Sequence, residues 1–415
     1  FVDTVVVEGD VGRSQSLIER YVANITESRP VHIRDVERYL LLVNDLPGIR
    51  GVGVLRPSGA EVGAAELVVT VERKAFDGFV LWDNRGSQFT GHQGVAVDAA
   101  ANSFTPFGER TEVTLFTALD KDEQLIGQIA YQQQIGSEGL TVNGVASYGE
   151  SEPGGSLEPL DIESETLLLG VGARYPIIRS RRLNLSVSGG FEYVDQDSDI
   201  AGSTPLVRDS LRVIHTTARV DLRDSFGGAN FATFGIRQGL PILSASDDGD
   251  ANLSRVEGQG TFTSLNGEVA RLQRIVDNLN VLADLSGQYA FQELLSGEEC
   301  EIGGLTFGRG YDPSELTGEH CFGATIELQY NQTFDLPVLQ SVQFYGFYDF
   351  GVVFNTDSNT DDSESLASAG GGIRTNVTDW LSADFEVAQP LTKEIDGRDD
   401  NKNGTRYFFR LTGRF

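Results

Sequence analysis

From Phe76 to the C-terminus, apolar and polar residues change places at nearly every step. Leu183, Leu185, Val187, Phe191 and Tyr193 stand against Asn184, Ser186, Ser188 and Glu192. Phe322, Ala324, Ile326, Leu328 and Tyr330 alternate with Thr325, Glu327, Gln329 and Asn331. Val342, Phe344, Gly346, Tyr348, Phe350 and Val352 do so with Gln343, Tyr345 and Asp349. Successive side chains of a strand point to opposite faces, so each segment predicts a strand with one apolar and one polar face. Runs of ~10 such residues ending in aromatics are the pattern of strands that cross a membrane as a barrel. Alternation by itself also fits a large soluble β-sandwich or a solenoid.

The connections choose among these. Short links at 104–108, 176–181, 224–230 and 335–339 take turns with long ones at 150–163, 196–208, 241–260, 295–320, 353–366 and 390–405. Outer-membrane barrels carry short turns on the periplasmic side and long loops outside. An even strand count returns both barrel ends, and whatever precedes them, to the periplasmic side. About 340 residues over about sixteen strands leave ~21 per strand and connection, enough for ~10-residue crossings. Closure also gives every edge a partner, which an open sheet of that size would lack. In the last segment Tyr407, Phe409, Leu411, Gly413 and Phe415 share one face, and Phe408, Arg410, Thr412 and Arg414 the other. The expected fold is mainly β, with residues 76–415 forming an antiparallel transmembrane β-barrel of about sixteen strands.

Residues 1–75 follow another rule. Phe1–Glu8 is an apolar-rich strand closed by Gly9, and Ser14–Ile25 and Ile33–Asp45 repeat apolar residues at steps of three and four. That spacing marks one face of a helix, and Pro47-Gly48 stops the second. Val52–Leu55 and Glu66–Glu72 read as strands. The order β-α-α-β-β in so short a span predicts a small α+β domain with one buried sheet face.

Charge and composition remove several functions. The chain has 415 residues, 61 Asp and Glu against 32 Lys and Arg, and a net charge of −29. Nucleic acid, whose phosphates need a basic face, is not an expected partner. The longest apolar runs, Tyr39–Val43 and Leu167–Val171, fall far short of the ~18 residues of a membrane helix. Four histidines (His32, His92, His215, His320) are scattered, and no nucleophile elbow, phosphate loop or H-E-x-x-H helix occurs. Neither an enzymatic activity nor a cofactor is expected. Asp399, Asn401, Asn403 and Gly404 copy the start of a calcium loop, but Arg410 stands where its bidentate Glu belongs, so no metal is expected. The acidic run 357–364 reads as a solvated loop. With no Met and Phe1 in first place, the chain is expected to be a mature or trimmed fragment whose signal peptide lies outside it.

Cys300 and Cys321, the only cysteines, flank one predicted loop. An even pair in an oxidising compartment suggests a disulfide, with two free thiols the alternative. Between them lies a Gly-rich stretch around one Arg, followed by Tyr-Asp-Pro.

That stretch, Gly308-Arg309-Gly310-Tyr311, resembles the motif loop of the two-partner secretion transporters (TpsB proteins), which share an outer-membrane superfamily with the barrel-assembly insertases. The family motif is V-R-G-Y/F at the tip of a long hairpin folded back into the lumen, and here Gly308 replaces the Val. A second motif, F-x-x-x-D-x-G, matches Tyr345–Gly351, with Tyr345 for the Phe and Asp349 and Gly351 in register. Asp83-Asn84-Arg85-Gly86-Ser87 with Thr90-Gly91 looks like the family's first barrel hairpin, Arg179-Ser180-Arg181 like its short turn, and Glu315–Glu319 like its lead into the next strand. Residues 1–75 resemble a polypeptide-transport-associated (POTRA) domain. Members usually carry two such domains behind a plug helix, whereas one is placed here, so upstream sequence was removed or the chain is a shortened variant. The two cysteines stand where polar residues or Gly are expected.

The resemblance implies that loop 295–321 folds inward and that Arg309 docks on Asp349, a planar fork on a carboxylate. It implies client binding by strand addition at Val52 and Val54, beside a helix presenting Val36 and Leu40. Tyr407, Phe409, Leu411 and Phe415 would form the signal read by the barrel-assembly machinery. The implied function is ATP-independent export of a large unfolded partner protein, β-helical once folded, to the cell surface. The protein would sit in outer-membrane lipid of a bacterium with its POTRA domain in the periplasm. An insertase of the same superfamily and a passive porin are the alternatives.

Overall fold

The computed structural model describes residues 1–26, 29–59, 61–119, 123–356, 363–392 and 404–415. An N-terminal module comprises β1 (Val2–Gly9), α1 (Gln15–Thr26), α2 (Ile33–Asn44), β2 (Ile49–Pro57) and β3 (Ala65–Arg73). There follow β4 (Phe76–Asp83), β5 (Gly94–Asn102), β6 (Arg110–Ala118), β7 (Gln124–Ile135), β8 (Leu140–Ser151), β9 (Ile162–Arg179), β10 (Leu183–Ile200), β11 (Thr204–Arg223) and β12 (Gly228–Gly239). The chain continues with β13 (Thr263–Val276), β14 (Leu279–Ala290), β15 (Cys300–Ile302), β16 (Leu316–Gly318) and β17 (His320–Thr333). It ends with β18 (Ser341–Phe354), β19 (Ser363–Asn376), β20 (Leu381–Pro390) and β21 (Arg406–Arg414).

The module sheet runs β1-β3-β2, with β1 parallel to β3 and β2 antiparallel to it. The helix periodicity explains its core. Leu17, Ile18, Tyr21, Val22 and Ile25 line one face of α1 and pack with Val36, Leu42 and Val43 of α2 over Leu67, Val69 and Val71 of β3. Each such fully buried side chain contributes ~1.5–3 kcal/mol, and a carboxylate at Val43 would break the core. The second helix ends where Asp45 N–H bonds back to the carbonyls of Leu41 and Leu42, just before Pro47.

Sixteen of the described strands close into one antiparallel barrel, β4–β14 and β17–β21, with β21 returning to β4. Alternation dictates the wall: Leu115, Ile129, Val171, Val269 and Ile326 are exposed on the outside, while their sequence neighbours turn into the lumen. Five residue pairs, Arg410↔Asp83 to Arg414↔Phe79, join the seam. Beyond them the Asn84 amide continues the ladder, donating to Tyr407 O (3.0 Å) and accepting from Phe409 N (2.8 Å). Arg410 pairs with Asp83 at 2.6 Å. Asp399, Asn401, Asn403 and residues 357–362 of the acidic run lie outside the described residues. No described helix is long and apolar enough to cross a membrane.

Two expected connections are largely strand, the short 176–181, where β9 runs to Arg179, and the long 196–208. β10 runs to Ile200 and β11 resumes at Thr204, so 196–208 is a ladder with a short turn. The apolar alternation has stopped there, but Arg208 sits between Asp197 (3.4 Å) and Asp199, and opposite charges across strands hold the pairing. At ~3.3 Å per residue these strands rise well past the ~25 Å apolar band of an outer-membrane barrel.

The short turns gather at the barrel end that carries the module. Asp45 receives a bidentate pair from Arg179 (2.6 and 2.7 Å). Tyr39 donates to Glu138 (2.8 Å), Arg73 to Ser103 O (2.9 Å), and Ser103 to Pro47 O (2.7 Å).

Candidate functional site

The chain between β14 and β17 turns back into the barrel instead of projecting from it. β15 and β16 pair as its stem, and a disulfide joins Cys300 to Cys321 with their Cα atoms 6.3 Å apart. The tip closes through Gly303 N–H to Phe307 O (2.8 Å) and Tyr311 N–H to Gly308 O (2.8 Å). Gly308 has φ +91° and its missing Cβ would lie 2.6 Å from Leu366 Cδ1. A Val is excluded from that conformation.

The tip drives Arg309 into the wall. This residue, 5% exposed, donates from Nε and Nη2 to the two oxygens of Asp349 (3.0 and 2.9 Å), and its backbone N–H reaches the same carboxylate (2.9 Å). Asp349 also accepts from the Thr325 hydroxyl and stands 3.4 Å from that of Ser368. Glu327 takes Nη1 at 2.5 Å, Glu386 lies at 3.9 Å, and the guanidinium carbon rests 3.6 Å above the Phe347 ring. Bidentate, charge-assisted bonds of this kind fix orientation as well as energy. With three carboxylates near one cation, further cations are needed. Arg374 pairs with Glu327 (2.6 Å) and Arg85 with Glu386 (2.8 Å).

The rest of the motif is equally enclosed. Tyr311 is buried and donates to Ala367 O (3.2 Å); the Gly310 N–H meets the Ser368 hydroxyl (3.2 Å); Asp312 pairs with Arg406 of the last strand. At Gly351 an added Cβ would come within 2.2 Å of Ile302 Cγ2, so this glycine is where the loop stem seats against β18. Tyr345, in the motif's Phe position, uses its hydroxyl to hold Glu386 (2.8 Å).

The four residues of the expected client groove do not share one surface. β2 is an edge strand, but Val52 and Val54, both exposed, lie on the face away from the helices. Gly51 and Gly53 face α2, beside Val43 and Leu40. Leu40 is half-buried there, whereas Val36 is in the module core and presents nothing to a partner. On β21, Tyr407, Leu411 and Phe415 are exposed on the outer face, and Phe409 packs edge-on against Trp82 at 4.8 Å.

Glu327, Arg374, Glu386, Arg406 and Phe347 were not singled out from the sequence. A signal existed for the four charged ones: an ionisable residue inside a membrane strand is a functional candidate by default. Among the described residues, no group of three His, Cys, Asp or Glu is placed to hold a metal ion.

A closed sixteen-stranded wall, a small α+β module at one end and an arginine-anchored loop in the lumen define a β-barrel of the outer-membrane type. The chain belongs to the haemolysin secretion/activation protein ShlB/FhaC/HecB family, whose model matches residues 63–375; these are secretion proteins, not enzymes. It is 23% identical over 379 residues to the heme/hemopexin transporter protein HuxB of Haemophilus influenzae, covering 89% of this chain and 66% of that protein. It is 24% identical over 389 residues to the outer membrane transporter CdiB of Dickeya dadantii, covering 88% and 65%. The chain thus spans slightly less than two thirds of these relatives. In fold it is similar to CdiB from Escherichia coli, with a TM-score of 0.84 at 16% identity over 100% of this chain and 76% of that one. BamA from Haemophilus ducreyi lacking POTRA domains 1–3 gives 0.64 at 11% identity, covering 100% and 84%.

Proposed function

We propose that this protein exports a large unfolded partner protein from the periplasm to the cell surface, as one half of a two-partner secretion pair. The observation that carries the reading is the Arg309–Asp349–Glu327 lock, which a passive pore does not need. In this reading residues 1–75 are a POTRA domain on the periplasmic side, and the inward loop spans 295–321.

The client arrives extended and adds to β2. The Asn44 amide occupies the outward backbone groups of Gly51 (2.9 and 3.0 Å), so strand addition uses Gly53 and Leu55, the next outward-facing positions. The client then threads past the Arg309 loop and folds outside, most simply as a β-helix, and that folding biases the motion without ATP. The outer face of β21, ending at Phe415, is the part that the barrel-assembly machinery reads during insertion.

The test is export of candidate partners co-expressed with the parent and with Arg309→Ala. Surface delivery by the parent, lost in the variant while the barrel still inserts, is the expected result. Undiminished delivery by Arg309→Ala would remove the loop from the mechanism.

A further inference from the structure

Cross-strand partners share a face, so the lumen can be traced along the wall from Asp349. The steps are Thr325, Asp284, Ala270, Phe231 and Asp221. Odd positions of β11 and even positions of β14 therefore look inward. Leu211, Val213 and Ala290 are such positions, at the end of the barrel away from the module. Onto them pack Leu253 and Phe262 from the connection 240–262, together with Leu294 and Leu295 from the root of the arginine loop. An apolar core thus sits inside the far mouth, built jointly by two loops. The opposite end keeps open cavities of about 500 and 660 Å³.

A charged side chain ties the two loops together. Arg255, on 240–262, donates from Nη1 to Leu294 O (2.9 Å) and pairs with Glu299 (3.1 Å) and Glu319. Glu299 precedes Cys300 and Glu319 lies two residues before Cys321, so a single cation grips both roots of the disulfide-closed loop. Neither carboxylate is open to water: their side chains are 7% and 0% exposed. The second oxygen of Glu319 accepts from Thr356 N–H (3.0 Å). The backbones also meet, through Gln259 N–H to Glu293 O (3.0 Å), and the Ser254 hydroxyl accepts from Ser296 N–H (3.0 Å). Glu298 ties the same root to Arg237 of the wall (2.7 Å), but only Arg255 reaches from the lid to both carboxylates.

We propose that residues 240–262 are a lid on the far mouth and that Arg255 is the positioning residue that fastens it to the arginine loop. Arg309 then locks the tip and Arg255 the roots, and a conducting path requires both to let go. Without Arg255, Glu299 and Glu319 are left buried without their shared cation, and the lid loses its tie to the disulfide-closed roots.

The experiment is single-channel recording of the purified full chain in planar bilayers with no client, so its outcome is separate from that of the export assay. Arg255→Ala should raise the frequency of large openings by about tenfold or more, as removal of one partner from a buried pair implies. Arg255→Lys should restore much of the closed behaviour. A folded Arg255→Ala barrel, judged by heat-modifiable mobility, that opens no more often than the parent would overturn the proposal. Should that variant fail to fold, Ser254→Cys with Ser296→Cys, in a Cys300→Ser, Cys321→Ser background, bolts the lid reversibly. The oxidised form should lose its large openings and regain them on reduction; equal opening in both forms would equally end the case.

Discussion

Removing the Arg309 guanidinium takes two side-chain hydrogen bonds from Asp349, which remains without access to solvent. The loss falls on this residue because Arg374 still neutralises Glu327 and Arg85 still neutralises Glu386. Breaking a buried pair from one side costs about 3–5 kcal/mol. At ~1.4 kcal/mol per factor of ten, Arg309→Ala should raise the undocked fraction of the loop by about two to three and a half orders of magnitude. Asp349→Ala should act similarly, since it strands the guanidinium. The double variant strands neither group, so its effect should be smaller than the product of the two. Ser368→Cys provides the readout: this position is wholly buried beneath the loop, against the Gly310 backbone, and reacts with maleimide only when the loop leaves. Labelling should accelerate in step with the undocked fraction. Equal rates in all four proteins, or strictly multiplicative effects, would refute the claim that this pair holds the loop.

Three further outcomes follow from the same geometry. Gly351→Val pushes a side chain into Ile302 and should unseat the stem at a cost of about 1–3 kcal/mol, seen as faster labelling at Ser368→Cys with Arg309 intact. Replacing both Cys300 and Cys321 by Ser removes a constraint worth up to ~3 kcal/mol in the chain-entropy model; thermal unfolding should fall while labelling stays unchanged, because Arg309 holds the tip independently. The Tyr39 hydroxyl, which donates to Glu138, is pushed up to about 12 by burial and by that carboxylate. A raised value means that the docked module holds the proton more tightly. Its contribution to docking is therefore complete below the ordinary tyrosine value of 10.0 and is lost as pH climbs through about 12. A cysteine pair at Asn24 and Ser137, neighbours at 3.3 Å, should crosslink readily below this window and poorly above it.

The wall was legible because the information is local. Each strand separates two environments, and that demand writes period two directly into β10, β17 and β18. The module helices were legible for the same reason at period 3.6. Where the local signal ends, the pattern no longer specifies the structure. Residues 196–208 look like a loop because strand pairing there rests on Arg208 and two aspartates, not on apolar alternation. Val36 looked available because the periodicity of α2 marks an apolar stripe without saying that the sheet covers it. Val52 and Val54 lie on an edge strand, but which face the helices cover is set by packing.

For this protein the order of residues determined a barrel with a small α+β module, and the pairing of Arg309 with Asp349 came from the resemblance of its two motifs to those of the TpsB family. Tertiary structure decided what surrounds them. Glu327, Arg374, Glu386 and Arg406 come from four different strands and meet only because a closed wall turns its polar faces toward one axis. The joint core of residues 240–262 and 290–295 likewise exists only once two loops enter the same mouth. Local patterning records which solvent each side chain faces; it carries no record of which distant side chain shares that space, since closure alone brings them within reach.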